Sequence, residues 1–191
     1  NMTKLDDFSK IIHNGHEIDK VLHQGKTIWT QEPDVYLAQD SDFVKDNNKN
    51  WVYRGTELEI KIPSTIQGES ITSYVYMFCG DSTYNATPVT RVVSDNPNVT
   101  DVRFMFYYSK ATTLDLSNFN TFSVTNMRSM FARSKATTLD LSGFDTSNAT
   151  NMDYMFSSSA ATVGYARTQA DADKLNSSTD KPAGLNFVVK P

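Results

Sequence analysis

The sequence predicts a mixed α/β repeat solenoid preceded by a small all-β meander. The solenoid is predicted by a repeated segment that begins at Val99 and begins again at Val124. Residues 99–123 and 124–148 are identical at 16 of 25 positions. A third copy opens at Ala149. A fixed period of about 20–29 residues is typical of coils that must stack to bury their apolar sides. The meander is predicted by a shorter repeat near the N terminus.

The N-terminal repeat places a glycine between two apolar segments twice. Residues 11–18, IIHNGHEI, return as VLHQGKTI at residues 21–28. Asn14-Gly15 is a strong hairpin-turn signal and Gln24-Gly25 a weaker one. We therefore expect a β-meander within residues 1–32, ending at Trp29. The segment 20–29 resembles N-terminal pieces of tail and baseplate proteins from phages and prophages of lactic-acid bacteria, which implies an attachment module.

A capped solenoid is expected over residues 33–191. Pro33 and the polar residues 40–50 predict a boundary and a loop. Trp51–Tyr53 and residues 58–62 predict two strands joined across Arg54-Gly55, the second with one buried face. Residues 64–98 match the repeat at a shift of 28 and predict a degenerate N-terminal cap coil with Val92-Val93 as its strand.

Each repeat, at 99–123, 124–148 and 149–165, predicts one helical turn and one strand. Met127, Met130 and Phe131 stand at i, i+3 and i+4, which would place them on one face of a helical turn, whereas Leu139 and Leu141 alternate as in a strand. Parallel strands are expected over residues 112–116, 137–141 and 162–165.

The helical turn is expected to begin at a threonine. Thr125 lies two residues before Met127, where an N-cap would stand, and Thr150 repeats this position with Asp153 three residues later. Stacking of the coils then predicts apolar columns that pair Leu114 with Leu139, Leu116 with Leu141, Met130 with Met155, and Phe119 with Phe144.

A C-terminal cap is expected over residues 166–191. Thr168 would cap a short helix with Asp171 at its third position, and Pro182 and Gly184 would turn the chain into a last strand at 185–189. The cap would cover the strand edge that the last coil exposes.

The phrases at residues 125–131 and 139–147, TNMRSMF and LDLSGFDTS, resemble the BspA-like leucine-rich-repeat family of bacterial surface proteins, over about residues 71–165. The resemblance implies a curved right-handed solenoid with a parallel sheet on one side, and a binding surface rather than a reaction. Residues 164–190 are similar to the closing segment of such proteins from lactobacilli and their phages.

The composition excludes several classes of function. A formal net charge of −4 gives no electrostatic reason to expect nucleic acid or an anionic membrane as partner. Cys79 is the single cysteine, so an internal disulfide is excluded and a small core residue is expected. No membrane-spanning run and no signal peptide are visible.

Neither a metal site nor an active site is expected. His13, His16 and His23 could approach one another in hairpins, but no carboxylate or thiol joins them at ligand spacing. A Ser/His/Asp arrangement would have to recruit these distant histidines, and no phosphate-binding glycine loop is present. We therefore expect a non-enzymatic protein without a cofactor.

The outward sheet face is the candidate binding surface. Parallel coils would place Lys110 by Lys135, Thr113 by Thr138 and Asp115 by Asp140, with Tyr107 and Tyr108 as a stacking edge at the rim. The two carboxylates could hold a cation or ligand, or could be solvated residues of the repeat consensus, since like charges about 4.8 Å apart need screening. The loop at residues 40–50 is the alternative site.

Two classes of function remain open. One is a phage or prophage virion protein of the tail or baseplate, made in the bacterial cytoplasm, whose meander attaches to other virion proteins and whose solenoid faces a host-cell protein or glycan. The other is a fragment of a secreted bacterial surface adhesin. The lack of a visible signal peptide favours the first, and the neighbouring genes would decide between them.

Overall fold

The fold is that of a computed structural model, which describes residues 12–13, 16–17, 20–23, 26–30 and 35–191. The chain divides into two compact units, residues 1–35 and 36–191. Among the described residues, no helix is long and apolar enough to cross a membrane.

The N-terminal unit contains two antiparallel hairpins. They are formed by β1 (Ile12–His13) with β2 (His16–Glu17) and by β3 (Lys20–His23) with β4 (Lys26–Thr30). The hairpins predicted around the two glycine pairs are thus confirmed. In the described residues each hairpin is a two-stranded sheet of its own, and the continuous meander over residues 1–32 stays a prediction. The histidine side chains lie outside the described part of the chain.

The second unit contains eleven strands and one α-helix. In chain order they are β5 (Tyr36–Leu37), β6 (Phe43–Lys45), β7 (Trp51–Tyr53), β8 (Glu59–Lys61), β9 (Thr65–Ile66), β10 (Glu69–Ser70), β11 (Arg91–Val93), β12 (Thr113–Asp115), β13 (Thr138–Leu141), β14 (Val163–Ala166), α1 (Gln169–Asn176) and β15 (Asn186–Val189). A 3-10 turn at Asp40–Asp42 precedes β6.

Seven of these strands form one parallel sheet, in the order β15-β14-β13-β12-β11-β8-β5. Each strand therefore pairs with its equivalent in the neighbouring coil, and Leu114 lies opposite Leu139. The predicted parallel solenoid and its register are confirmed. The sheet also begins earlier than the repeat suggested, because β5 and β8 extend it on the N-terminal side of residue 64.

The segment between β5 and β8 differs from its prediction. Residues 40–50 are not one loop, because they contain the 3-10 turn and β6, which pairs with β7 in an antiparallel hairpin. The strands β7 and β8 belong to different sheets instead of pairing across Arg54-Gly55. This hairpin packs its buried Phe43 and Tyr53 rings edge to face, 5.5 Å apart.

The fold is β-rich rather than mixed α/β, because the methionine-containing segments are not helical. Ser129 and Arg133 have left-handed backbone, with φ of 54° and 57°, and such residues interrupt an α-helix. The segment forms three overlapping tight turns instead, in which the N–H groups of Met130, Ala132 and Ser134 each donate to the carbonyl three residues earlier, at 3.2, 3.2 and 3.1 Å. In the described residues α1 is the only α-helix, and it belongs to the cap.

These turns form a second intercoil ladder opposite the sheet. Every second backbone N–H donates to a carbonyl of the next coil: Met127 to Asn151 at 2.8 Å, Ser129 to Asp153 at 3.0 Å, and Phe131 to Met155 at 2.8 Å. The same pattern links the preceding coils. Backbone groups that a helix would satisfy internally are therefore satisfied between coils.

The capping hydrogen bond predicted for Thr125 is made by the neighbouring Asn126. Asn126 Oδ1 accepts the N–H of Arg128 at 3.1 Å, and Asn151 Oδ1 accepts that of Asp153 at 3.0 Å. The Thr125 hydroxyl donates instead to the carbonyl of Thr100 in the previous coil, at 3.3 Å. The threonine at this position therefore joins coils, as Thr150 also does.

The core consists of columns of equivalent side chains. Phe78, Phe106, Phe131, Phe156 and Phe187 form one column, with successive ring centroids 5.3, 5.5, 5.6 and 4.9 Å apart. The predicted pair Phe119 and Phe144 forms part of a second column, at 5.7 Å. Met127, Met130 and Phe131 are all fully buried, so their shared apolar face is confirmed although it is not helical.

The C-terminal cap closes the last coil by filling a hollow. Gly164 stands in the leucine column, opposite Leu139 on one side and Phe187 on the other. A Cβ at Gly164 would lie 2.5 Å from the Phe187 ring, which occupies the space of the missing side chain. The amide of Asn176 hydrogen-bonds both the N–H and the carbonyl of Phe187, at 2.9 Å each, and so covers the outer edge of the sheet as predicted for the cap.

Replacing Gly164 by alanine should destabilise the protein by about 1–3 kcal/mol, because the Phe187 ring must move to admit the methyl group. Gly184→Ala is the matched control, since a Cβ there meets nothing within 4 Å. Chemical denaturation of both variants measures the difference. Equal stabilities would show that Phe187 does not fill this hollow.

Candidate ligand-binding surfaces

The predicted polar rows on the outward sheet face are present. Thr113 pairs with Thr138 and Asp115 with Asp140 in the register of β12 and β13. Lys110 and Lys135 are exposed, and the Lys110 ammonium donates to Asn85 Oδ1 at 2.8 Å. The structure therefore brings together the threonines and the carboxylates, while Lys110 turns towards the loop that contains Asn85.

Each carboxylate of this face has its own cation. Arg91 Nε lies 3.7 Å from Asp115 Oδ2, and Lys190 from the C-terminal cap donates to Asp140 Oδ2. Burial, the largest influence, raises the pKa of Asp140, but the hydrogen bonds from Lys190 and Ser142 together hold that pKa below its ordinary value. The repulsion expected between the two aspartates is thus offset by protein groups, and the pair has no need of a bound cation.

The rim residues Tyr107 and Tyr108 belong to a larger aromatic cluster on the turn side. Tyr76 stacks on Tyr84 at 4.5 Å and on Phe104 at 5.0 Å, with interplanar angles of 9° and 11°. Tyr107 meets Phe104 edge to face at 5.5 Å and Tyr108 at 4.6 Å. We call these five residues the aromatic patch. All of its rings are partly accessible to solvent.

Three residues of the aromatic patch differ from the residues at the equivalent positions of the next repeat. One coil later, the positions of Phe104, Tyr107 and Tyr108 hold Ser129, Ala132 and Arg133, which fold with the same ladder. The rings are therefore not required by the scaffold. This departure could have been read from the aligned repeats, but Tyr84 could not, because it lies in a loop outside the repeat period.

A groove of about 280 Å³ lies beside the patch, between the β6–β7 hairpin and the loop at residues 80–86. It is lined by Val44, Lys45, Asp46, Asn47, Asn48, Val52, Arg54, Thr83 and Tyr84. Five of these residues fall within the segment 40–50 that the sequence offered as an alternative site. We call it the hairpin groove.

Asp46 is the fixed acceptor of the hairpin groove. Its Oδ1 accepts the backbone N–H groups of Asn48 and Asn50 at 2.8 and 2.7 Å, and its Oδ2 accepts the Asn50 amide at 3.0 Å. Burial raises the pKa of Asp46, but these bonds outweigh it and hold the pKa below the usual value. Burial and the neighbouring Asp46 raise the pKa of Tyr84 to about 12, so that its phenol stays protonated.

The described residues contain no cluster of three or more histidine, cysteine, aspartate or glutamate side chains able to hold a metal ion. Cys79 is a buried core residue, as predicted. Burial raises the pKa of its thiol to about 12, which leaves almost no reactive thiolate near neutral pH.

Comparison with known proteins gave a family match only. Neither the curated proteins nor the solved structures contain a match. The family described as "Mycoplasma protein of unknown function, DUF285" matches residues 46–169, which is more than half of the chain and includes every repeat. This family is related to BspA-like repeat proteins. The chain therefore belongs to the DUF285 family.

Proposed function

We propose that this protein is a non-enzymatic binding module that presents its solenoid to a ligand on the surface of a host cell. The observation that carries the proposal is the aromatic patch, where partly exposed rings replace the small and charged residues of the following coil. Tyrosine offers an apolar face together with a polar tip, which suits it to recognition surfaces. Side chains that the scaffold does not need are available for this role.

The solenoid supplies the rigidity that such a surface needs. Tyr76 and Phe104 belong to equivalent positions of adjacent coils, and the intercoil ladder sets the separation of their rings. Rings held in place lose little conformational freedom when a ligand binds, which favours affinity. Lys110, which donates to Asn85 in the loop that carries Tyr84, would border this surface. Lys135 and the paired threonines and aspartates of the sheet face form a second candidate surface.

We propose a phage or prophage virion as the setting, with this chain as a tail or baseplate protein. The resemblance of residues 20–29 to tail and baseplate proteins supports this setting, and the two N-terminal hairpins would then attach to other virion proteins. A fragment of a secreted bacterial adhesin is the second candidate, favoured by the relation to BspA-like proteins. A gene neighbourhood of tail genes supports the first, and a longer reading frame with a secretion signal and wall anchor supports the second.

Reverting the patch to the repeat consensus tests the binding function. The triple variant Phe104→Ser, Tyr107→Ala, Tyr108→Arg carries the residues of the next coil and should fold. We expect its binding to candidate host cells, measured by pull-down with labelled protein, to fall at least about tenfold, as the loss of two or three contact residues would give. Phe122→Ser, which likewise replaces an exposed phenylalanine with the residue found 25 positions later, should bind as the unchanged protein does.

The sheet face is tested in the same experiment with Asp115→Ala and Asp140→Ala combined. Loss of binding in this double variant alone would place the ligand on the sheet face. Full binding by both the triple and the double variant would contradict both surfaces.

A further inference from the structure

The hairpin groove has the features of a small-molecule site and lies outside the surface assigned above, apart from sharing Tyr84. Its volume of about 280 Å³ is close to the lower limit of about 300 Å³ for ligand pockets. A space of this size fits one ring-sized unit rather than a folded protein segment.

One wall of the groove is a fixed aromatic ring. Tyr84 stacks on Tyr76 with ring centroids 4.5 Å apart and an interplanar angle of 9°, so the orientation of its ring is set by the patch. Val44 adds an apolar side chain that is 54% exposed, and the buried Val52 lies at the base. A planar ring beside small apolar groups is a surface on which the C–H face of a sugar can pack.

The other walls carry polar groups suited to hydroxyls. Asp46 is held in place by three hydrogen bonds, two to Oδ1 and one to Oδ2. An ionised carboxylate offers about four lone-pair sites, so Oδ2 can accept one more donor, either the neighbouring Tyr84 phenol or a ligand hydroxyl. The side-chain amides of Asn47 and Asn48 also line the groove, and each offers two donors and an acceptor. Among the described residues, none forms a hydrogen bond with either amide.

The groove also contains two cations, of which one is already engaged. Lys45 Nζ bonds both oxygens of Glu69, at 2.7 and 2.6 Å, and lies 4.8 Å from the centroid of the Trp51 ring. Arg54 is exposed, and its guanidinium makes no hydrogen bond or ion pair with the described residues. A guanidinium fork matches a carboxylate or a phosphate in a bidentate manner.

We propose that the hairpin groove binds one sugar unit that carries an anionic group, a carboxylate or a phosphate. Tyr84 packs against the sugar ring, Asp46 and the two asparagines bind its hydroxyls, and Arg54 binds the anion. The proposal deepens the proposed function, on which it rests, by naming a ligand class for the cell-surface interaction.

Titration calorimetry of the full chain with single sugars tests the proposal. The probes are glucuronic acid, glucose 6-phosphate, glucose, and inorganic phosphate or acetate without a sugar. We expect glucuronic acid or glucose 6-phosphate to bind at least about tenfold more tightly than glucose, the contribution of a charge-assisted bidentate contact. Which of the two binds better distinguishes a carboxylate from a phosphate.

Two variants locate the site. Arg54→Gln should lower the affinity for the two anionic sugars to about that for glucose, and Tyr84→Leu should weaken the binding of all three sugars. Arg128→Gln is the matched control, because Arg128 is an exposed arginine that lies over the Tyr154 ring, outside the groove. Circular dichroism on each variant shows whether the fold is retained.

Three results would overturn the proposal. They are binding of the bare anions as tight as that of the anionic sugars, equal binding of the anionic sugars by the unchanged protein and Arg54→Gln, and no sugar binding at millimolar concentration. If the chain still binds host cells in the pull-down, the last result refutes the sugar site and leaves the binding function standing. If cell binding is absent as well, the proposed function fails with it.

Discussion

Replacing Phe131 by alanine should lower the free energy of unfolding by about 3–5 kcal/mol. Phe131 is fully buried and lies between two parallel rings, Phe106 at 5.5 Å and Phe156 at 5.6 Å. The intercoil ladders hold the backbone on both sides, so the coil cannot collapse into the cavity that the substitution leaves. Urea denaturation followed by circular dichroism measures the change.

Phe122→Ala is the control for this prediction. The Phe122 side chain is 58% exposed, so its removal should change stability by no more than about 0.5 kcal/mol. A loss below about 1 kcal/mol in Phe131→Ala would mean that the phenylalanine column is not the core of the solenoid.

Replacing Asp171 by alanine should cost about 3 kcal/mol, because it breaks the buried polar network that joins the cap to the second repeat, residues 124–148. Asp171 Oδ1 accepts the N–H and the hydroxyl of Thr146 at 2.9 and 2.8 Å. Its Oδ2 accepts the Thr168 hydroxyl at 2.6 Å and Arg167 Nε at 3.0 Å. The alanine would leave these donors unsatisfied.

The contribution of Asp171 should depend on pH. Burial raises the pKa of Asp171, but the hydrogen bonds from Thr168, Thr146 and Arg167 prevail and lower it. The stabilisation is therefore complete above the unfolded pKa of about 3.9 and is lost as the pH falls through the lower folded value. The stability difference between the unchanged protein and Asp171→Ala should be constant near neutral pH and shrink below about pH 4.

Asp173→Asn serves as the control on the same helix. Asp173 is exposed and accepts only from Gln169, so this change should leave both the stability and its pH dependence nearly unaltered. A difference for Asp171→Ala that does not shrink in acid would show that the carboxylate is not ionised in the folded protein.

The register of the sheet could be predicted because the repeat itself determines it. An ungapped period of 25 residues leaves Leu114 opposite Leu139 as the consistent pairing, and the structure has that pairing. The geometry of the turns could not be predicted in the same way. The spacing of Met127, Met130 and Phe131 fits a helical turn and the observed run of tight turns equally well.

What decides between these two conformations is not local. The left-handed backbone at Ser129 and Arg133 is compensated by hydrogen bonds to a coil 24 residues further along the chain, which propensity scales do not include. The ion pairs of the candidate site could not be predicted from the local sequence either. The cation that pairs with Asp140 comes from Lys190, 50 residues later, in a cap whose docking the repeat does not specify.

The hairpin groove was the least predictable feature. The sequence suggested residues 40–50 as an alternative site, and that segment supplies most of the lining. The segment was predicted as a loop, whereas β6 and β7 give it a rigid antiparallel base. Tyr84 comes from a loop that interrupts the repeat, so periodicity gave no signal for its position beside Asp46.

The way in which the cap docks leaves the number of coils free to change during evolution. Its polar contacts with the repeats, among them Lys190 with Asp140 and Lys174 with the carbonyls of Thr146 and Ala149, lie at the C-terminal end of the solenoid. Duplication of one 25-residue unit upstream would therefore lengthen the protein by about 4.8 Å without disturbing the cap, the aromatic patch or the hairpin groove. Recombination between the similar units offers a direct route to such variants, so a lineage could alter the reach of this protein while its recognition residues stay the same.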